Sequence, residues 1–221
     1  INSPRTYTQA YAVFGLKAVI APQVPNNAGS LACFDVRTEP GSCVDPLHPS
    51  PVTARHVIGQ MLPDALFGCL SQALPAQVPA ESTGSIWVLA MTSAHGKVND
   101  SLLSNATRFN VMNIGIGGAG ARPTKDGMSV TAFPSGVGTI PIEVTESQCP
   151  LLFRRKEYLP DSGGAGQFRG GLGQVIEVAN REPAPFTISA ATFDRMRNPP
   201  RGRSRGSNGG PGSASISNGP N

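Results

Sequence analysis

From Ser85 onward, glycine and proline cut the chain into short runs, and this spacing limits the fold more than any other feature. The runs "SIWVLAM", "RFNVMNIGI", "IPIEVTE", "LLFRRKEYL", "QVIEVA" and "PFTISAATF" are rich in β-branched or aromatic residues and are separated by turn-forming stretches. They read as short strands, in a predominantly antiparallel arrangement. With 26 glycines and 21 prolines among 221 residues, and only 14% charged residues, the composition favours turns over long helices.

The first part reads differently. Ser3-Pro4 has the form of an N-cap with proline in the first helical turn, and Tyr7, Tyr11, Phe14 and Ala18 recur at spacings of three to four. A helix over about residues 4–20 is predicted, ended by Pro22 and Pro25. "GSLACFDVRTEPGSCVDP" predicts a hairpin-like unit around a turn at Glu39-Pro40-Gly41-Ser42. In "ARHVIGQMLPDALFGCLSQALP", Val57, Ile58, Met61, Leu62, Leu66, Leu70 and Leu74 keep helical spacing, and Pro63 predicts a kink or a split. The fold class expected is α+β, with early helices and a predominantly antiparallel, glycine-turn-rich β system in the C-terminal part. Three parts are expected: a helix-rich part over 1–84, a β-rich glycine-loop region over 85–198 and a flexible Arg/Gly/Ser-rich tail over 199–221.

The formal charge of +4 does not imply a basic face. Arg195, Arg197, Arg201, Arg203 and Arg205 account for five of 18 basic residues, which leaves 13 against 14 acidic ones. Their RG dipeptides resemble an RNA-binding segment, but a solvated tail or loop is the expectation, and nucleic acid is an unlikely partner. Cys33, Cys43, Cys69 and Cys149 form no C-x-x-C pair and read as reduced thiols. No run approaches ~20 apolar residues, so no membrane partner is expected and a cytoplasmic location is. The chain starts at Ile1, inside a helix-start signal, so a piece of a longer polypeptide is expected.

Two glycine loops stand out. "NIGIGGAGARPTKDGMS" contains a literal G-x-G-x-x-G at Gly115, Gly117 and Gly120, after a predicted strand. A dinucleotide fingerprint needs a helix next, whose N-terminus holds the pyrophosphate, yet Pro123 and the Asp126-Gly127 turn follow. The loop either lines a site, presenting backbone N–H groups with the Asp126 carboxylate, or turns the chain at a sheet edge. The second loop, "PDSGGAGQFRGGLG", is longer than a hairpin requires and reads as a packed, ligand-facing or interface loop. His48, His56 and His95 lack metal-ligand spacing, and no metal ligand is assigned. Asp161, Ser162 and a histidine form no recognisable triad, since no G-x-S-x-G elbow exists.

Taken together, "INSPRTYTQAYAVFGLKAVIAP", "GIGGAGARPTKDGMS", "PIEVTESQCPLLFRRKEYLPDSGGAGQFRGGLGQVIEV" and "DRMRNPPRG" resemble the C-terminal half of the hydantoinase B/oxoprolinase family. The resemblance implies the B-type component of an ATP-dependent cyclic-amide hydrolase, opening hydantoin, N-methylhydantoin or 5-oxoproline. It also implies an actin-like A-type ATPase partner, which binds ATP and Mg, and places a possible divalent metal in the N-terminal half, outside this chain. A subunit of an acetone or acetophenone carboxylase is the alternative within the family, and a non-catalytic module with an RNA-binding Arg/Gly tail the alternative outside it.

By the same resemblance, Asp126 is the candidate catalytic residue, and Gly117, Gly118, Gly120 and Gly127 are candidates for substrate binding. Asp161, Ser162, Gly163, Gly164, Gly166, Arg169, Gly170 and Gly171 are assigned to a structural or interface loop. After "PP" the family continues "WG", whereas this chain continues "RGRSRG".

Overall fold

Small residues set the approach of the two long helices. In the computed structural model, which describes residues 1–93, 106–190 and 192–217, α1 (Arg5–Ile20) and α3 (Arg55–Leu70) flank the one-turn helix α2 (Ala28–Leu31). α1 buries Thr8, Ala12, Gly15 and Val19. A Cβ on Gly15 would lie 2.9 Å from the Pro63 Cα, and Gly59 faces the rings of Tyr7 and Tyr11 in the same way. This close approach has no room for large side chains, so the predicted stripe turns partly outward: Phe14 is 41% exposed and Ala18 is exposed.

The helical part decides one open alternative and departs from expectation in two details. α3 runs through Pro63 without splitting, with the ring fully buried against α1. The N-cap of α1 is Pro4, with no side-chain cap. Ser3 is instead buried, its Oγ accepting from Thr8 Oγ1 at 3.0 Å. Of the hairpin-like unit only the turn forms, with the Ser42 N–H donating to Glu39 O at 3.1 Å and Gly41 at φ +88°. Among the described residues its flanks pair with nothing in a sheet, and Asn27 and Ser30 close a reciprocal capping box on α2.

Two antiparallel sheets follow. β1 (Ile86–Ser93) lies between β2 (Asn110–Ile116) and β5 (Phe186–Ala190), while β3 (Leu151–Tyr158) pairs with β4 (Gln174–Asn180). In the first sheet Leu89 stands opposite both Asn113 and Ala190. Met91 from β1 packs with Cys149, Leu151 and Phe153 in a shared core, closed by Phe109, Ile176 and Phe186. The run "IPIEVTE", predicted as a strand, is helix α4 (Ile142–Gln148). Pro141 starts it, Glu143 complements its positive end, and Ile142, Thr145 and Cys149 fall at helical spacing onto the core. Here spacing outweighs β-branched composition. No helix among the described residues is long and apolar enough to cross a membrane.

Candidate functional site

The two glycine loops are one assembly. As the chain leaves β2 it runs beside the β3–β4 connection, and the Gly171 N–H donates to Ala119 O at 2.9 Å. The Gly127 N–H donates to Arg169 O at 2.7 Å, and the Val130 N–H to Leu172 O at 2.9 Å. At the centre Gly118 and Gly171 touch backbone to backbone: a Cβ on Gly118 would overlap the Gly171 carbonyl, and one on Gly171 the Met128 carbonyl. Glycine is required here by proximity, not by an unusual φ.

Asp126 staples the loops. Its Oδ1 accepts the Arg169 backbone N–H at 2.8 Å, and its Oδ2 lies 3.4 Å from the Arg169 Nε. The Arg169 backbone hydrogen bond, with the guanidinium's own bond and charge, holds the Asp126 carboxyl below the usual range. The N–H groups expected to face a ligand have internal partners: Ala119 donates to Met128 O at 2.9 Å and Gly120 to Ser82 Oγ at 3.0 Å. Gly117 abuts the Thr83 side chain.

The second loop also grips the chain beyond residue 199. Ser162 Oγ accepts from the Gly173 N–H at 2.8 Å, and the Ser162 carbonyl accepts from the Gly210 N–H at 2.8 Å. Gly163 abuts the Gly170 carbonyl, Gly164 abuts that of Ser207, and a Cβ on Gly166 would stand 3.2 Å from Phe168 O. Asp161 turns the chain at φ +57°.

Residues 199–212 are consequently anchored, where composition predicts a flexible tail. Arg201 donates from its backbone N–H and its Nε to Glu81 Oε2, each at 2.9 Å. Arg203 reaches Pro79 O at 2.8 Å and Ser71 Oγ at 3.0 Å, at the C-terminal end of α3. Arg195 pairs with Glu81 Oε1 at 3.1 Å, both side chains only 10% exposed, and donates to Thr83 O at 2.6 Å. Its backbone sits at φ +63°, a conformation unfavourable by about 1–2 kcal/mol for a residue with a Cβ. Met61 and residues 193–198 line an open cleft of about 420 Å³ next to it. Composition missed this cluster, because nothing local pairs an arginine with a carboxylate more than a hundred residues away.

Asp64, on α3, is 2% exposed. Its Oδ1 accepts the Ser82 N–H at 3.1 Å, and its Oδ2 has no hydrogen-bond partner among the described residues. Burial pushes its carboxyl up to about 7, against the lowering effect of the Ser82 bond; Glu81 adds to the rise, and Arg195 and Arg203 oppose it. Burial acts on Glu81 in the same direction, but bonds from Arg201 and the charge of Arg195 bring it below its ordinary value. The arginines lower both carboxyls, and the net shifts differ because burial dominates at Asp64 and the arginine bonds dominate at Glu81.

The sequence blocks that meet in this assembly are those of one known family. The profile for hydantoinase B/oxoprolinase matches residues 1–220. The chain belongs to the hydantoinase B/oxoprolinase family. It is 27% identical to 5-oxoprolinase 1 of Arabidopsis thaliana over 94% of its length, and 27% identical to the acetophenone carboxylase delta subunit of Aromatoleum aromaticum over 80%. The crystal structure of the ATP-dependent caprolactamase from Pseudomonas jessenii superposes with a TM-score of 0.64 at 28% identity, covering 81% of this chain. The chain spans 15%, 26% and 31% of those three proteins respectively.

Within this hydantoinase B/oxoprolinase chain, the described residues contain no group of three or more His, Cys, Asp or Glu able to hold a metal ion. His56 is placed with its Nε2 buried and without a hydrogen-bond partner among the described residues, and His95 lies outside them.

Proposed function

We propose that this chain is part of the B-type component of an ATP-dependent cyclic-amide hydrolase, acting with an actin-like A-type ATPase partner on hydantoin, N-methylhydantoin or 5-oxoproline. An unactivated amide is a poor electrophile. Phosphorylation of its oxygen by the partner, which holds ATP and Mg, would make the carbon electrophilic. Water adding there gives a tetrahedral centre whose collapse breaks the ring C–N bond, the nitrogen taking a proton, and the acyl phosphate left behind is hydrolysed by a second water to carboxylate and phosphate.

The interlock of the two glycine loops carries this reading. Two blocks that bear the family resemblance, separated in sequence, meet at Gly118 and Gly171 and form a wall of backbone with no side chains in the contact. Such a wall keeps a fixed shape beside a small reacting ring. In this reading Gly117, Gly118, Gly120 and Gly127 shape the cavity, and Asp126 acts as a positioning residue through Arg169. Asp161 to Gly171 supply the facing support.

The carboxylase branch is the second reading, supported by the likeness to the acetophenone carboxylase delta subunit. The deciding experiment uses the complete protein with its partner. ATP-dependent opening of hydantoin, N-methylhydantoin and 5-oxoproline is measured with ADP release, in parallel with bicarbonate-dependent carboxylation of ketones. Ring opening coupled to ADP supports the hydrolase, and carboxylation alone replaces it with the second reading.

A further inference from the structure

We propose that Glu81 is a positioning residue for the first glycine loop, acting through the backbone segment that carries it. The inference rests on the reading that this loop shapes the reaction cavity. Residues 80–83 hold the loop by four hydrogen bonds. The Ala80 N–H donates to Ala121 O at 2.8 Å, and the Thr83 N–H and Oγ1 donate to Gly118 O at 3.0 and 2.9 Å. The fourth runs from the Gly120 N–H to Ser82 Oγ at 3.0 Å. There is little slack, since a Cβ on Gly120 would overlap the Ala80 carbonyl.

The same segment is fastened from the other direction by charge. Glu81 takes Arg195 on one oxygen and Arg201 on the other, while Asp64 accepts the Ser82 N–H. Arg195 also donates to the carbonyl of Thr83, the residue that bonds Gly118. A displacement of Glu81 therefore moves the donors and acceptors on which residues 118–121 rest. The carboxylate is mostly buried, so removing its charge takes away the direct ion pair of a desolvated Arg195, and the strain falls on this segment first.

Glu81→Gln in the complete protein, assembled with its ATPase partner, tests this by amide hydrogen exchange and steady-state ring opening. Peptides covering residues 117–121 are expected to exchange about tenfold faster, with those of α1 and of strands β3 and β4 unchanged. The kcat is expected to fall about tenfold with KM within about twofold. Arg201→Gln, which removes the more exposed partner and leaves Arg195 in place, should give the same pattern at roughly a third of the size.

Unchanged exchange at 117–121, acceleration spread evenly over all elements, or a loosened loop with unchanged kcat would overturn the proposal. If Glu81→Gln does not fold, Arg201→Gln decides by the same readouts. If the unsubstituted protein opens no ring, the functional reading fails, and the exchange pattern still decides whether Glu81 positions the loop.

Discussion

The Asp126 carboxylate and the Arg169 backbone N–H meet at 2.8 Å, joining two loops whose residues lie 43 positions apart. Asp126→Ala removes that acceptor from an exposed site, so ring opening is expected to slow about tenfold while the circular dichroism spectrum stays unchanged. Asp126→Asn keeps an oxygen for the N–H and should retain most of the rate. Equal rates for Ala and the unsubstituted protein would remove Asp126 from any positioning role.

Gly118→Ala tests the backbone contact with Gly171. The added methyl overlaps a carbonyl held in place from both sides, and a loss of about 3 kcal/mol or more in chemical denaturation is expected. Gly68→Ala is the matched control. That residue lies in α3 with nothing within 4 Å of its would-be Cβ, so helix propensity alone should stabilise the protein by about 0.5–1 kcal/mol.

Asp64 gives stability a pH dependence of defined sign. Its carboxyl is raised to about 7 in the fold, so the folded state binds a proton that the unfolded chain has already released. Stability therefore falls as pH rises from about 4 to about 7, by an amount on the order of 4 kcal/mol, and is level above that. Glu81, held below its ordinary value, works the other way: its contribution is present above the usual carboxylate range and is lost as pH falls through its lowered pKa. Urea denaturation of Asp64→Asn between pH 4.5 and 8 should yield a flatter profile. An unaltered slope would assign the dependence to another group.

Arg195, Arg201 and Arg203 are committed to the protein itself. Arg203→Ala should lower stability by about 1–3 kcal/mol through its bonds to Pro79 O and Ser71 Oγ. RNA binding measured from 50 to 200 mM salt should lack the steep dependence of a phosphate-binding segment. A steep slope abolished by deleting residues after Pro199 would instead favour the RNA-binding reading.

Much of the fold was legible where a local rule governs it. α1, α3 and four of the five strands sit where periodicity and turn residues put them, and β5 occupies part of its run. α4 was misread because Ile142, Val144 and Thr145 are β-branched, although their spacing already suited a helix. The glycine loops stood out in sequence, but their partners did not, since a glycine that turns a chain and one that admits another backbone look the same. The Glu81 cluster was illegible for a related reason. A carboxylate at the end of one irregular stretch and arginines in another carry no mark of being paired until the β system has brought them together.

The interlock also sets an order of assembly. Gly118 and Gly171 cannot meet until the chain between them has folded back through α4 and β3, so their contact closes a long loop, though a shorter one than the pairing of β1 with β5. A ribosome that has released only as far as β3 has therefore made the wall's first half and its support at residues 80–83, but not yet the loop that faces it.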